Sequence, residues 1–159
     1  MDGAKKQVFT RRITQANKTG LIVILYDMFF AYLDEAKTGY ENGLRGTDES
    51  LDAIRHASLV LEHLKDDLNF RYEISGNLFS IYDFCQRELA KCIYQAKPDG
   101  LFVAEDLMKR LYGSFKEVAK ADTSAPLMKN TQKVTAGLTY GRNDVSEVSL
   151  SDSSRGFYA

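Results

Sequence analysis

Between residues 17 and 121 apolar residues recur every three or four positions rather than every second one, the spacing of side chains on one face of an α-helix. Breaks in the pattern divide it into four helices. Asn17 is a favourable N-cap for the first, which is expected to run to about Glu41 and end in the glycine-rich stretch from Gly39 to Gly46. The second follows Thr47, has Asp48 and Glu49 where a helix N-terminus favours acids, and carries Leu51, Ile54, Ser58, Leu61 and Leu68 along one face before stopping near Asn69. The third follows the stretch Glu73 to Gly76, aligns Ile74, Leu78, Ile81, Cys85, Leu89 and Cys92 in one stripe, and ends before Pro98. Asp99 is expected to cap the fourth, whose stripe of Ala104, Leu107, Met108, Leu111, Phe115 and Val118 leads to a last turn at Lys120. Amphipathic helices of this length with short connections predict an all-α fold, an antiparallel four-helix bundle over residues 17–121.

Two segments fall outside that pattern. Residues 1–16 intersperse Val8, Phe9 and Ile13 with Lys5, Lys6, Arg11 and Arg12, which predicts an N-terminal arm that docks rather than a buried element. Residues 122–159 read as a C-terminal extension, where from Ser124 onward isolated apolar residues stand among Ser, Thr, Gly and Asn at intervals too irregular for one amphipathic helix. The stretch from Leu127 to Tyr140 is expected to cover part of the apolar surface of the first helix, or a neighbouring groove, and to compete there with a partner.

That apolar surface is unusually wide. At 100° per residue, Leu21, Leu25, Met28 and Tyr32 form one face and Ile22, Phe29, Leu33 and Tyr40 a second. Tyr26, Phe30 and Val23 extend the arc past about 200°, where a bundle helix needs about 100°. A helix covered by several neighbours would have this character. So would a helix with one face in the bundle and another lining a groove for a partner helix, with the Phe9 to Ile13 arm as a temporary cover. On the second reading Leu25 packs in the bundle, Tyr26 turns toward the groove, and the candidate partner-binding residues are Phe9, Ile13, Ile22, Tyr26, Phe29, Phe30 and Leu33.

Composition narrows the function classes. The chain has 159 residues, enough for one ordinary domain, and its 21 Lys plus Arg against 22 Asp plus Glu provide no overall positive field to attract nucleic acid. The most apolar stretch, Leu21 to Leu33, is shorter than the roughly 18 residues a bilayer span needs and is interrupted by Asp27, so no membrane insertion is expected. It also makes a poor signal-peptide core, which together with two cysteines spaced too widely for a disulfide on one helix predicts a cytoplasmic location.

No phosphate-binding, nucleophile-elbow or zinc-protease motif occurs, and neither histidine stands three residues after a glutamate. His56, His63, Cys85 and Cys92 have the composition of a zinc site. Each pair, however, is separated by ~10.5 Å along a helix, while zinc holds its ligand atoms at about 2.0 to 2.3 Å. The histidines point away from the stripe of the second helix, whereas both cysteines lie within the stripe of the third. No catalytic, cofactor or metal site is therefore expected, and the cysteines read as small core side chains.

Phe9, the run Ile13-Thr-Gln-Ala16-Asn-Lys-Thr-Gly-Leu21, Leu25-Tyr26-Asp27 and Ala36 together resemble the N-terminal signature of the flagellar export chaperone family FliS: an aromatic, a Val or Ile, Thr-Ala-Ser-Pro, a Leu and Leu-Tyr-Asp. Ala53, His56, Leu61 to Leu68 and Asn69 resemble the family's second helix, and Asn77-Leu78 with Ile81-Tyr82-Asp83-Phe84 the start of its third. The resemblance covers residues 8–121. Asn17-Lys18 stands where the family has Ser-Pro, which keeps an N-cap and loses the proline suited to a first helical turn. The resemblance implies a cytoplasmic chaperone without catalytic activity that binds the C-terminal segment of flagellin and keeps it from polymerising before secretion, with the flagellar export gate as a further candidate partner. The residues themselves also leave open a helical adaptor for another secreted substrate, or a metal-binding bundle protein.

Overall fold

A computed structural model of the chain describes residues 3–40 and 46–128, all within a compact unit spanning residues 1–129. The described residues form five helices and no strand: α1 (Gly3–Gln15), α2 (Lys18–Thr38), α3 (Asp48–Asp66), α4 (Ile74–Gln95) and α5 (Asp99–Ala121). The expected all-α class therefore holds. Most of the arm is the helix α1, none of whose residues is buried, while Ala16 after it is buried.

Two of the starts follow local chemistry. The Asn17 side chain accepts a hydrogen bond from the Gly20 N–H at 2.8 Å, and Thr47 Oγ1 accepts one from the Ser50 N–H at 3.2 Å, each satisfying a donor that a helix start leaves free. Asp99, expected as a cap, instead lies inside the first turn of α5 after Pro98, where its charge faces the positive end of the helix. The expected end of the second helix near Asn69 moves back to Asp66, because Asp67 caps α3 and the chain then folds through turns at Lys65–Leu68 and Asn69–Tyr72.

Helix α2 packs against α3 and α5, α4 packs against the same two, and α1 lies on α2. Contacts that advance along α2 retreat along α5: Thr19 bonds Asp122, Asp27 bonds Tyr112, and Lys37 pairs with Glu105 at 2.7 Å. The fully buried interior is made of Tyr26, Phe29 and Leu33 from α2, Ile54 and Leu61 from α3, Tyr82, Cys85, Leu89 and Cys92 from α4, and Leu101 and Met108 from α5. Close approach depends on two glycines. A Cβ on Gly39 would meet the Ser50 side chain, and one on Gly100 would meet the Glu88 carbonyl and the Cys92 sulfur.

The expected roles of Leu25 and Tyr26 are reversed. Tyr26 is fully buried, shares a 2.8 Å hydrogen bond with the hydroxyl of Tyr82, and packs its ring against Tyr112 and Phe115 at centroid distances of 5.9 and 5.3 Å. Leu25 stays partly exposed at the edge of the core. The two phenols satisfy each other, so a polar atom enters the interior without the cost of an unpaired group. On α4 the buried face is likewise turned: Tyr82 is inside, while Ile74, counted in the expected stripe, is 63% exposed. Val118 of the expected α5 stripe is also exposed.

Truncating Tyr26 to alanine should cost about 3 to 5 kcal/mol of stability, whereas Leu25→Ala should cost less than about 2 kcal/mol, measured side by side by urea unfolding. A larger loss for Leu25→Ala would reverse the assignment. A second expectation concerns alkaline pH. Burial pushes the Cys85 thiol from an ordinary value of 9.0 up to about 11, with Glu88 adding a smaller push the same way. Because its pKa is raised in the folded state, the unfolded chain loses this proton first, and stability present below pH 9 is lost as pH rises from about 9 to 11. Cys85→Ala should remove about 2 to 3 kcal/mol of that alkaline loss in denaturation series at each pH.

Candidate functional site

Helix α2 has more apolar surface than α3 and α5 cover. Leu21, Ile22, Val23, Leu25, Met28, Phe30 and Ala31 all remain partly exposed, and α1 lies along this side without burying any residue of its own. Grooves remain beside it. One, of about 310 Å³, is lined by Ile13 of α1, by Leu21, Ile24 and Leu25 of α2, and by His63, Asp66 and Asp67 at the end of α3. Another, of about 360 Å³, is lined by Ala4, Lys5, Val8 and Phe9 of α1 with Ala31 of α2. Between α3 and α4 lies one of about 280 Å³, lined by Ile54, Arg55, Ser58, Leu59, Leu89, Ala90 and Ile93. Such apolar channels between helices are suited to side chains from an added amphipathic segment.

A polar contact ties α1 to the rest of the bundle. The Arg12 guanidinium donates to one carboxylate oxygen of Asp27 and the Tyr112 hydroxyl donates to the other, so one side chain of α2 joins α1 to α5. Arg12 also lies over the Phe9 ring, 5.6 Å from its centroid. Tyr112 is pushed up to about 12, first by burial and then by the hydrogen bond and negative charge of Asp27, against a smaller opposing pull from Arg12. Its proton is therefore held on the phenol, where it serves as a donor to the carboxylate.

A second tie joins the chain after α5 to the α1–α2 junction. Asn17 donates through its side-chain amide to the carbonyls of Asp122 and Ser124 at 3.2 and 3.3 Å, while Thr19 donates to the Asp122 carboxylate at 2.6 Å. The hydrogen bonds from Thr19 and Ser124 hold the Asp122 carboxyl below its ordinary range. The Leu127 N–H donates to the Ala16 carbonyl at 3.0 Å, yet the side chains of Leu127 and Met128 stay exposed. The remainder of the stretch to Tyr140 lies outside the described residues.

The seven candidate partner-binding residues do not form one surface. Phe9 and Ile13 are partly exposed on α1, and Ile22 and Phe30 are partly exposed on α2, with Phe30 edge-on to Tyr112 at 5.4 Å. Tyr26, Phe29 and Leu33 are fully buried in the core. Sequence reasoning did not single out Leu21, Ile24 and Leu25 as groove residues, nor the acidic end of α3, nor Tyr112. The one available signal was Asp27 inside the most apolar stretch, since a charge there requires donors.

The four residues of zinc-site composition do not gather. Cys85 and Cys92 are buried with thiols pushed up by burial, whereas His56 stacks on Tyr32 at 5.1 Å and approaches Asp52 at 3.3 Å from the exposed side of α3, and His63 is exposed. Among the described residues no three His, Cys, Asp or Glu side chains come together as a metal site, and no helix is long and apolar enough to cross a membrane.

A family model described as flagellar protein FliS matches residues 1–122, and the chain belongs to that family. No curated protein matches it. Membership ties the chain to flagellum biogenesis in a chaperone family rather than an enzyme family.

If the Arg12–Asp27–Tyr112 contact is what seats α1, Asp27→Asn should raise amide hydrogen exchange across residues 3–15 several-fold while exchange in α3 and α4 is unchanged. The exposed part of the pair is worth only about 0.5 to 1 kcal/mol, so the melting temperature should move by a few degrees at most. Unchanged exchange in α1 would show that its apolar contacts suffice.

Proposed function

We propose that this FliS-family chain is a cytoplasmic export chaperone that binds the C-terminal segment of flagellin and keeps it from polymerising before secretion. The observation that supports this most directly is the pairing of an over-wide apolar α2 with a cover, α1, that buries none of its own residues. A cover of that kind is easily exchanged for a segment that buries more. We read α2 to α5 as an antiparallel four-helix bundle, supported by the opposed order of contacts along α2 and α5. The bundle supplies rigid walls, and binding uses area rather than a titratable centre.

Of the proposed partner-binding residues, Ile22 and Phe30 have exposed area on α2, and Phe9 and Ile13 belong to the cover and the groove edge. Tyr26, Phe29 and Leu33 would act from beneath, by setting the position of the residues above them. Leu21 and Leu25 join the surface as groove residues. A flagellin segment that is disordered when free would order on these grooves, its entropy cost offsetting much of the burial gain. The flagellar export gate is the proposed acceptor of the loaded complex.

Calorimetry with the full chain and a synthetic flagellin C-terminal segment should give one-to-one binding with a negative heat-capacity change. Leu25→Asp, at a partly exposed position, should retain helical circular dichroism and weaken binding at least about tenfold, as expected for a charge placed on an apolar contact. Absence of both heat and size shift at high micromolar concentration rejects the reading.

A further inference from the structure

The groove bounded by α1, α2 and the end of α3 combines an apolar lining with two carboxylates, Asp66 and Asp67, and one imidazole, His63. Asp66 is the last residue of α3 and Asp67 caps it; both side chains are exposed, and among the described residues neither has an ion-pair partner. Lys65 beside them is turned the other way. It donates to Gln86, comes within 3.9 Å of Asp83, and lies over the Phe79 ring. Arg12, one residue before Ile13 of the groove lining, is engaged by Asp27. The C-terminal carbonyls of α3 add partial negative charge at the same place.

The helix that borders the groove is of the complementary charge. From Gly3 to Gln15 α1 has four cations, Lys5, Lys6, Arg11 and Arg12, and no acid, with Val8, Phe9 and Ile13 among them. Farther along the same side, Lys6 shares a depression with Glu35, Glu49 and Asp52. The cover of this acidic side is thus a basic helix with apolar anchors.

We propose that the groove selects a partner segment carrying a lysine or arginine within a helical turn of its apolar anchors, the cation meeting Asp66 and Asp67 while the anchors meet Leu21, Ile24 and Leu25. This rests on the chaperone reading above and adds a charge rule to it. Partly exposed pairs of this type contribute modest affinity, but they speed encounter, disfavour acidic segments and make binding salt-dependent.

The test uses the full chain and two synthetic segments: the C-terminal segment of flagellin, and the same segment with its lysines and arginines replaced by glutamine. Dissociation constants are measured at about 50 and about 300 mM NaCl, conditions that differ in Debye screening. For the natural segment, Asp66→Asn with Asp67→Asn should weaken binding about 3- to 10-fold at low salt and flatten the salt dependence. Asp106→Asn, on the exposed side of α5 against Arg110, should leave the constant unchanged. The glutamine segment should bind the native chain and the double variant equally.

Equal affinity of the native chain and the double variant for the natural segment, with binding intact, overturns the charge rule and leaves the chaperone reading standing. No binding of either segment by the native chain at either salt overturns both. Concentration-dependent dimerisation that disappears on deleting residues 1–15 would also overturn the proposal, by assigning the groove to the α1 of a second copy.

Discussion

A carboxylate in the middle of the most apolar stretch of a chain must be met by donors or kept at the surface, because leaving it buried and unpaired costs several kcal/mol. Asp27 meets that constraint with donors from two other helices. Arg12 approaches from α1 and Tyr112 from α5, and both engage carboxylate oxygens of the same side chain. The azimuth of α2 follows: with Asp27 directed between α1 and α5, Tyr26 is carried inward to Tyr82 and Leu25 is left at the edge. The wide apolar arc of α2 is divided accordingly between a core and a surface.

That division explains how a helix can be seated without being buried. Helix α1 gains order from α2 through Arg12 and through the flanks of Val8, Phe9 and Ile13, yet none of its residues is removed from solvent to the degree of the core. Elements with few buried apolar contacts open at low free energy, so α1 is expected to open before the core helices do. The neighbouring junction is tied more firmly: Asn17 both caps α2 and holds the chain after α5, while Thr19 bonds Asp122.

Among the described residues, the reactive side chains are either buried or dispersed. Buried cysteines hold their thiol protons more tightly, the histidines lie outside, and the internal polar pair Tyr26–Tyr82 is self-satisfied. Beside α2 the described surface is apolar groove with charge at its edges; in interfaces of that make-up, area contributes affinity and charge contributes discrimination.

Much of the fold was legible in the sequence, because helix periodicity and capping are local. The threefold and fourfold spacing located α2 to α5, and Asn17 and Thr47 start their helices as their side chains require. The inward stripe of Leu78, Cys85, Leu89 and Cys92 could also be read directly, as could the separation of the cysteines from the histidines. Orientation could not be read in the same way. An apolar arc wider than 200° on α2 is compatible with several azimuths, and neighbours about 100° apart such as Leu25 and Tyr26 exchange roles between them. A phenol, having both apolar ring and polar tip, belongs inside only if another group meets its hydroxyl, and that group, Tyr82, lies 56 residues away. The same reason applies to α1, whose sequence of four cations and scattered apolar residues has no inner face of its own and lies as a helix on the surface of α2. Local spacing thus determined which segments are helical and which residues are apolar enough to bury. Only the tertiary structure decided which of them are buried, because that depends on hydrogen-bond partners that are distant in sequence and adjacent only after folding.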